Sequence, residues 1–246
     1  MESAAIILTY PGQRELSDLL CAALSRFMPH VTPVVLDSTA TWWETDVPPR
    51  IRALIKAGDS HYHICLRRVF DAPAVVKAKT FYVLDADCFL FGPLDDWGPC
   101  AFMGSWAGPD ADDRLAVWRE LGYEIPNPYP CLCAGTCSYP RELLLQNRDL
   151  AVRFLDAAVK LGFYRPKHRG AALDNAFVAG LWKLNYAPNI LPKERYAYIK
   201  TTPEMVLYHA GCGVTREPRF QEVFLPAYRH FLLRGGPKEP LIEYRP

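Results

Sequence analysis

The sequence predicts an α/β protein in which helices flank a mostly parallel central sheet. Two β-branched apolar runs, 4–8 and 31–36, enclose a segment, 15–27, whose apolar residues recur at helical spacing. A strand–helix–strand unit of this kind favours a right-handed crossover between parallel strands. A third apolar run begins at Phe81 and is typical of a strand that is buried on both faces. These observations together indicate the fold class.

The composition is that of one globular domain. The chain has 246 residues, of which 50% are hydrophobic and 13% aromatic, so it can bury a substantial core. Its formal net charge of +1 provides no overall attraction to nucleic acid or to an anionic membrane. Because the sequence contains no internal repeat and no clear linker, we predict a single domain over residues 1–246.

The hydrophobic patterning also bears on location. No apolar run approaches the roughly 20 residues of a membrane span, and the acidic start fits a first strand better than a signal peptide. Three of the eight cysteines, Cys21, Cys65 and Cys88, lie within apolar runs, where free cysteine behaves as a small hydrophobe. We therefore expect a protein of the reducing cytoplasm that does not span a membrane.

The central feature of the sequence is a pair of carboxylates inside the apolar stretch 81–91. Asp85 and Asp87 are one residue apart, so in a continuous strand both would point to the same face. Two buried carboxylates require a compensating charge, and Mg²⁺ or Mn²⁺ with its preference for oxygen ligands would supply it. The alternative is that Asp85 opens a turn and Asp87 pairs with an arginine.

Further polar residues follow the first two strands. Thr9, Tyr10 and Asp37 stand where those strands end, and ligands of parallel sheets bind outside the carboxyl ends of the strands. Arg67 and Lys77 precede the central strand and would either neutralise phosphate or form a solvated face. The chain has neither a Gly-x-Gly-x-x-Gly loop nor a Walker A lysine, which disfavours a dinucleotide-binding fold and a P-loop NTPase.

The second half of the chain contains further candidates. A helix is expected within 115–121, and a strand should run into a helix near Pro140, with Gly135 permitting close approach of the backbone to a ligand. The helical pattern over 140–162 is interrupted near Asn147. Asp174 begins an amphipathic helix as its N-cap, and it could serve both as cap and as catalyst. A last strand over 205–211 carries His209.

In this order the motifs resemble those of GT-A glycosyltransferases, which use nucleotide-sugar donors. The match consists of Tyr82-Val-Leu-Asp85-Ala-Asp87 with Lys77 upstream, Ala134-Gly135-Thr136, Leu173-Asp174-Asn175 and Tyr208-His209-Ala-Gly211. Where the family often has an asparagine before its glycine, this chain has alanine. The resemblance implies a GT-A-like, Rossmann-type mixed sheet. About 1–100 would form the nucleotide- and donor-binding half, and about 101–246 the acceptor-binding half.

The resemblance also implies roles for the candidate residues. Asp85, Asp87 and His209 would hold Mn²⁺ or Mg²⁺ against the donor diphosphate, with Asp87 as the firmer ligand and Asp85 reaching either the ribose or the metal through water. Lys77 and Arg67 would add positive charge at the phosphates. The nucleoside would lie against Thr9, Tyr10 and Asp37, and the donor sugar near Gly135. Asp174 would be the catalytic base if configuration inverts, and would position acceptor or donor sugar if it is retained.

The substrates implied by the resemblance are defined only by class. UDP-sugars are the usual donors of metal-dependent members. The acceptor could be a glycan, a lipid-linked sugar, a protein side chain or a modified nucleic-acid base.

Two other functions stay open. A sugar-phosphate nucleotidyltransferase uses a related sheet, but it usually has a glycine-rich basic loop where this chain has only Gly12 and Arg14. The other alternative is a non-catalytic nucleotide-sugar- or carbohydrate-binding module on the same fold. The presence of Asp85, Asp87, Asp174 and His209 argues against a module that has lost its catalytic site.

Overall fold

The computed structural model describes residues 2–9, 12–37, 69, 72, 73, 76–95, 97, 98, 100–104, 111–125, 132–161, 177, 178, 180, 181 and 189–244. The strands within this part of the chain are β1 Ser3–Thr9, β2 Val31–Asp37, β3 Thr80–Asp85, β4 Cys88–Leu90, β5 Ala101–Gly104, β6 Leu132–Pro140, β7 Asn189–Leu191, β8 Tyr196–Tyr198 and β9 Leu207–His209. The helices are α1 Arg14–Phe27, α2 Ala111–Glu120, α3 Arg141–Gln146, α4 Arg148–Lys160, α5 Gly211–Val214, α6 Leu225–Arg234 and α7 Glu239–Ile242. A π-helical turn, Phe220–Phe224, directly precedes α6.

Six strands form the main sheet, in the order β2-β1-β3-β6-β5-β7. The pairs β1–β2, β1–β3 and β5–β7 are parallel, whereas β6 runs antiparallel to both β3 and β5. The prediction of a mixed, mostly parallel central sheet is therefore confirmed. Because β1, β2 and β3 are parallel, their carboxyl ends meet at one edge of the sheet.

Helices cover both faces of this sheet. Successive residues of β1 point to opposite faces, so Ile6 packs in a core that includes Phe154 of α4, while Ile7 packs in a second core that includes Leu20 of α1. All four of these side chains are essentially inaccessible to solvent. Burial on both faces explains why the first strand reads as a continuous apolar run instead of an alternating one.

The central stretch differs from its prediction as one continuous strand. The strand β3 ends at Asp85, residues 86 and 87 form a turn, and β4 then joins a separate sheet with the order β4-β9-β8. Within this smaller sheet, Phe89 contacts an aromatic cluster that contains Phe220, Phe224 and Tyr228. Both β3 and β4 are buried, so the apolar pattern runs through both strands although they pair with strands of different sheets.

Several later elements follow their predictions. The predicted helix within 115–121 corresponds to α2, and β6 runs directly into α3 at Arg141. The expected interruption near Asn147 separates α3 from α4, and the Asn147 side chain donates a hydrogen bond to the Leu143 carbonyl at 2.8 Å. Among the described helices, none combines the length and the apolar character that a bilayer crossing requires.

Candidate metal centre

The ends of β3 and β9 bring two carboxylates and one imidazole together. Asp85 is the last residue of β3, Asp87 lies in the turn that follows, and His209 is the last residue of β9. The antiparallel pairing of β4 with β9 places Cys88 opposite His209. As a result, His209 Nε2 lies 3.2 Å from Asp87 Oδ1 and 3.6 Å from Asp85 Oδ2. Three of the predicted site residues are thus neighbours in space.

The burial of these groups indicates that a further partner belongs in the site. Asp87 and His209 are only 2% and 5% exposed, whereas Asp85 is partly accessible to solvent. Asp87 Oδ2 is buried and has no hydrogen-bond partner among the described residues. A buried carboxylate oxygen without a partner is costly. A cation bound between the carboxylates and the imidazole would offset that cost.

The distances suit a divalent cation. Mg²⁺ binds oxygen ligands at about 2.0–2.1 Å in octahedral geometry, which places adjacent ligand atoms about 3 Å apart. The separations of 3.2 and 3.6 Å from His209 Nε2 to the two carboxylates are slightly larger than this value. The two carboxylates suit Mg²⁺ and Mn²⁺ alike, whereas an imidazole ligand is more typical of later transition metals. The residues present therefore fit such an ion without distinguishing between the two metals.

A thiol also lies close to the centre. Asp87, Cys88 and His209 offer potential ligand atoms that all lie within 4.8 Å of one another. Burial raises the pKa of the Cys88 thiol well above its ordinary value, so the thiol stays protonated at neutral pH. Since Mg²⁺ and Mn²⁺ favour oxygen ligands over thiolate, the carboxylates are favoured over this sulfur.

The imidazole is itself held in a charged environment. Burial alone would lower the pKa of His209, but the neighbouring Cys88, Cys133 and Asp87 act in the opposite direction. The net result is a pKa well above the ordinary value. Nε2 therefore faces a position where positive charge is favoured.

Gly135 is needed for the placement of Asp85. Leu84 of β3 pairs with Thr136 of β6, so the next residues along the two strands, Asp85 and Gly135, come face to face. A Cβ atom on Gly135 would overlap the Asp85 carboxylate. The sequence predicted that this glycine permits close approach to a ligand, and the group that approaches it in the structure is the Asp85 side chain.

The end of β1 lies next to Asp85, and the end of β2 lies one strand further along the sheet. Leu8 of β1 pairs with Asp85, and Thr9 pairs with Asp37 at the end of β2. Thr9 Oγ1 is buried and has no hydrogen-bond partner among the described residues. The structure thus brings the backbones of Thr9 and Asp37 to the edge of the sheet that holds the carboxylates.

The remaining predicted site residues fall into two groups. Tyr10, Arg67 and Asp174 lie outside the described residues. Lys77 is exposed and precedes β3, at the opposite end of that strand from Asp85. The five steps from Thr80 to Asp85 alone span about 17 Å at 3.3 Å per residue. The structure therefore separates Lys77 from the carboxylates.

Three residues around His209 had not been predicted from the sequence. Thr136 Oγ1 lies 3.0 Å from His209 Nδ1, and Cys133 Sγ lies 3.5 Å from the same nitrogen. The ring of Tyr198 packs edge-to-face against the imidazole, with 5.2 Å between the ring centroids. Residues 133 and 136 would point to opposite faces of a regular strand. However, the register between β5 and β6 shifts within this segment. Strand alternation therefore could not have identified the pair.

The comparisons with known proteins found likeness in fold but none in sequence. A scan against protein-family models and a search of curated protein sequences each returned no match. Among solved structures, the glycosyltransferase GlyE of Streptococcus pneumoniae TIGR4 matches in its apo form with a TM-score of 0.52 and 11% identity. A second GlyE structure gives a TM-score of 0.53 and 12% identity.

These structural matches differ in how much of each chain they cover. Each GlyE match covers 95% of this chain and 62% of GlyE, so the chain spans less than two thirds of GlyE's length. Mouse xyloside xylosyltransferase 1, in apo form, gives a TM-score of 0.49 at 10% identity, covering 87% of this chain and 99% of that chain. The GlyE matches show that this chain shares its α/β fold with that glycosyltransferase.

Proposed function

We propose that this protein is a metal-dependent glycosyltransferase that moves a sugar from a nucleotide-sugar donor, with UDP as the expected nucleotide, to an acceptor hydroxyl. The observation that carries the proposal is the convergence of Asp85, Asp87 and His209 Nε2 at the carboxyl ends of the parallel strands. The shared fold with GlyE supports the same reading. The unpartnered Oδ2 of Asp87 adds a reason for a cation.

The proposed donor site has a metal-binding part and a nucleoside-binding part. Asp87 and His209, both buried, hold Mn²⁺ or Mg²⁺ directly. Asp85, which is partly exposed, contacts either the ion or the donor ribose. Thr9 and Asp37, with Tyr10, form the nucleoside side of the site, and the buried hydroxyl of Thr9 has hydrogen-bonding capacity to offer. Arg67 contributes positive charge at the diphosphate.

The proposed reaction breaks the bond between the donor sugar's anomeric carbon and the diphosphate oxygen, which takes the electron pair. The acceptor oxygen forms the new bond to that carbon and loses its proton. In an inverting reaction Asp174 accepts this proton, for which it must lie within hydrogen-bond reach of the acceptor hydroxyl. A bound divalent cation supplies charge that stabilises the leaving nucleoside diphosphate.

A donor-hydrolysis screen tests the proposal without knowledge of the acceptor. The protein is incubated with individual nucleotide sugars and Mn²⁺, and release of the nucleoside diphosphate is measured, because many transferases slowly hydrolyse their own donor. We expect one donor to be cleaved by the wild-type protein and not by the Asp87→Asn variant. The variant removes one negative charge at nearly constant volume, so its circular dichroism and melting temperature report whether it is folded.

The same material separates the alternative functions. Stabilisation by UDP and Mn²⁺ without turnover in an acceptor screen would favour a binding module. Release of pyrophosphate from a nucleoside triphosphate and a sugar phosphate would identify a nucleotidyltransferase. Full donor cleavage by folded Asp87→Asn would refute the metal site on which the proposal rests.

A further inference from the structure

A buried chain of polar groups lies on the side of His209 that faces away from the carboxylates. His209 Nδ1 is 3.0 Å from Thr136 Oγ1, and Thr136 Oγ1 is 3.6 Å from Cys88 Sγ. Cys88 Sγ is in turn 3.9 Å from the Gly135 carbonyl oxygen. Thr136 and Cys88 are at most 1% exposed, so solvent does not compete for these contacts.

These contacts are compatible with one direction of hydrogen bonding that begins at the Gly135 carbonyl. A backbone carbonyl can only accept, so Cys88 can donate its S–H to Gly135. In that arrangement the sulfur accepts from the Thr136 hydroxyl, and the threonine oxygen is available to accept from His209 Nδ1–H. Cys133 Sγ, at 3.5 Å from Nδ1, is a weaker second acceptor for the same N–H.

We propose that Thr136 is a positioning residue for the cation site, and that its hydroxyl holds His209 in the tautomer with the proton on Nδ1. Nε2 then presents its lone pair to the ion beside Asp85 and Asp87. This inference rests on the proposed function, because Thr136 acts on a ligand of the same metal centre. A hydrogen-bonded second nitrogen fixes both the orientation and the tautomer of a ligating histidine.

The competing tautomer explains why the hydroxyl matters. With its proton on Nε2, His209 would donate to Asp87 Oδ1 at 3.2 Å and block the ion. In the cation-bound state Nδ1–H must have an acceptor, since an unpaired buried donor is costly. Removal of the Thr136 hydroxyl therefore penalises the cation-bound state. The metal-free state is affected less, because Nε2 can then carry a proton and donate it to Asp87 Oδ1, and Nδ1 need not carry one.

The test compares Thr136→Val with Thr136→Ser. Valine keeps the shape of threonine and removes the acceptor, whereas serine keeps the hydroxyl. Mn²⁺ alone is titrated into each folded protein, and free Mn²⁺ is measured by electron paramagnetic resonance. We expect Thr136→Val to weaken Mn²⁺ binding about 10–100-fold and Thr136→Ser to stay within about threefold of wild type, as for other outer-shell partners.

The outcomes separate this inference from the proposed function. If wild type binds Mn²⁺ and Thr136→Val binds it equally well, the positioning role is overturned while the metal site stands. If wild type does not bind Mn²⁺, both are overturned. Equal weakening by valine and serine would show that the hydroxyl is not what matters.

A second measurement examines the wild-type protein and needs neither Thr136 variant. Nitrogen-15 spectra of histidine-labelled wild-type protein with saturating diamagnetic Mg²⁺ report which ring nitrogen of His209 carries the proton. The His209→Asn spectrum assigns the signal. We expect a protonated Nδ1 and an unprotonated Nε2. A proton on Nε2 under these conditions would overturn the inference.

Discussion

Replacing Gly135 by alanine should impair the cation site through a single added carbon. The new Cβ would overlap the Asp85 carboxylate, which cannot stay where it is. Because Asp85 is partly exposed, its side chain can rotate towards solvent. We therefore expect a small loss of stability, at the lower end of the roughly 1–3 kcal/mol typical of overpacking.

The effect on ion binding should be larger than the effect on folding. Two unit charges interact by about 4 kcal/mol at 4 Å and about 2 kcal/mol at 8 Å for an effective dielectric constant near 20. Moving the Asp85 carboxylate by this distance would thus cost about 2 kcal/mol per unit of cation charge, or about 4 kcal/mol for divalent Mn²⁺, which is about 10³-fold in affinity. Because water would offset part of this cost at the partly exposed carboxylate, we expect Mn²⁺ binding to Gly135→Ala to weaken by about 30-fold or more.

The assay is the Mn²⁺ titration combined with thermal unfolding, and Gly98→Ala is the matched control. A Cβ on Gly98 would meet nothing within 4 Å, so this variant adds the same carbon without a clash. Unchanged Mn²⁺ affinity in Gly135→Ala would refute the steric argument. An equal loss of affinity in both variants would refute its specificity.

Three further predictions concern the base, the aromatic cluster and the charged surface. Asp174→Asn should slow transfer about 10²–10⁴-fold and change UDP affinity little; equal losses in kinetics and UDP titration would make Asp174 structural. Phe89→Ala should destabilise the fold by about 3–5 kcal/mol in urea unfolding, because the ring is 1% exposed among other aromatics. Leu233→Ala, at a 66% exposed position, is its control, with a change of about 0.5 kcal/mol or less. Lys77→Ala should leave Mn²⁺ and UDP affinities unchanged, since Lys77 precedes the far end of β3; weakened UDP binding would contradict this placement.

Much of the fold was predictable because burial leaves a periodic record in the chain. The two apolar runs and the helical spacing between them correctly predicted β1, α1 and β2. The Asp-x-Asp pair was predictable as a candidate site because carboxylates within an apolar stretch need a partner, whereas His209 was predicted only from the resemblance to GT-A glycosyltransferases.

The same periodicity could not show where the central stretch changes partners. Residues 81–91 are apolar on both sides of the turn at 86–87, yet β3 belongs to the main sheet and β4 to the smaller one. Strand alternation predicted that Asp85 and Asp87 share a face of one strand, but β3 ends at Asp85 and Asp87 lies in the turn that follows. The two carboxylates meet His209 because β4 pairs with β9, a contact between segments far apart in the chain.

The sequence by itself thus determined the α/β class and named the two carboxylates and the histidine of the centre. Only the tertiary structure decided that His209 Nε2 faces the carboxylates while Nδ1 faces Thr136. It also decided that Gly135 makes room for the Asp85 side chain. Lys77 precedes the end of β3 that is opposite Asp85. Hydrophobic patterning reports which residues of one element are buried. Which atoms meet across elements depends on long-range strand pairing and on register, and neither is encoded in the local sequence of any one element.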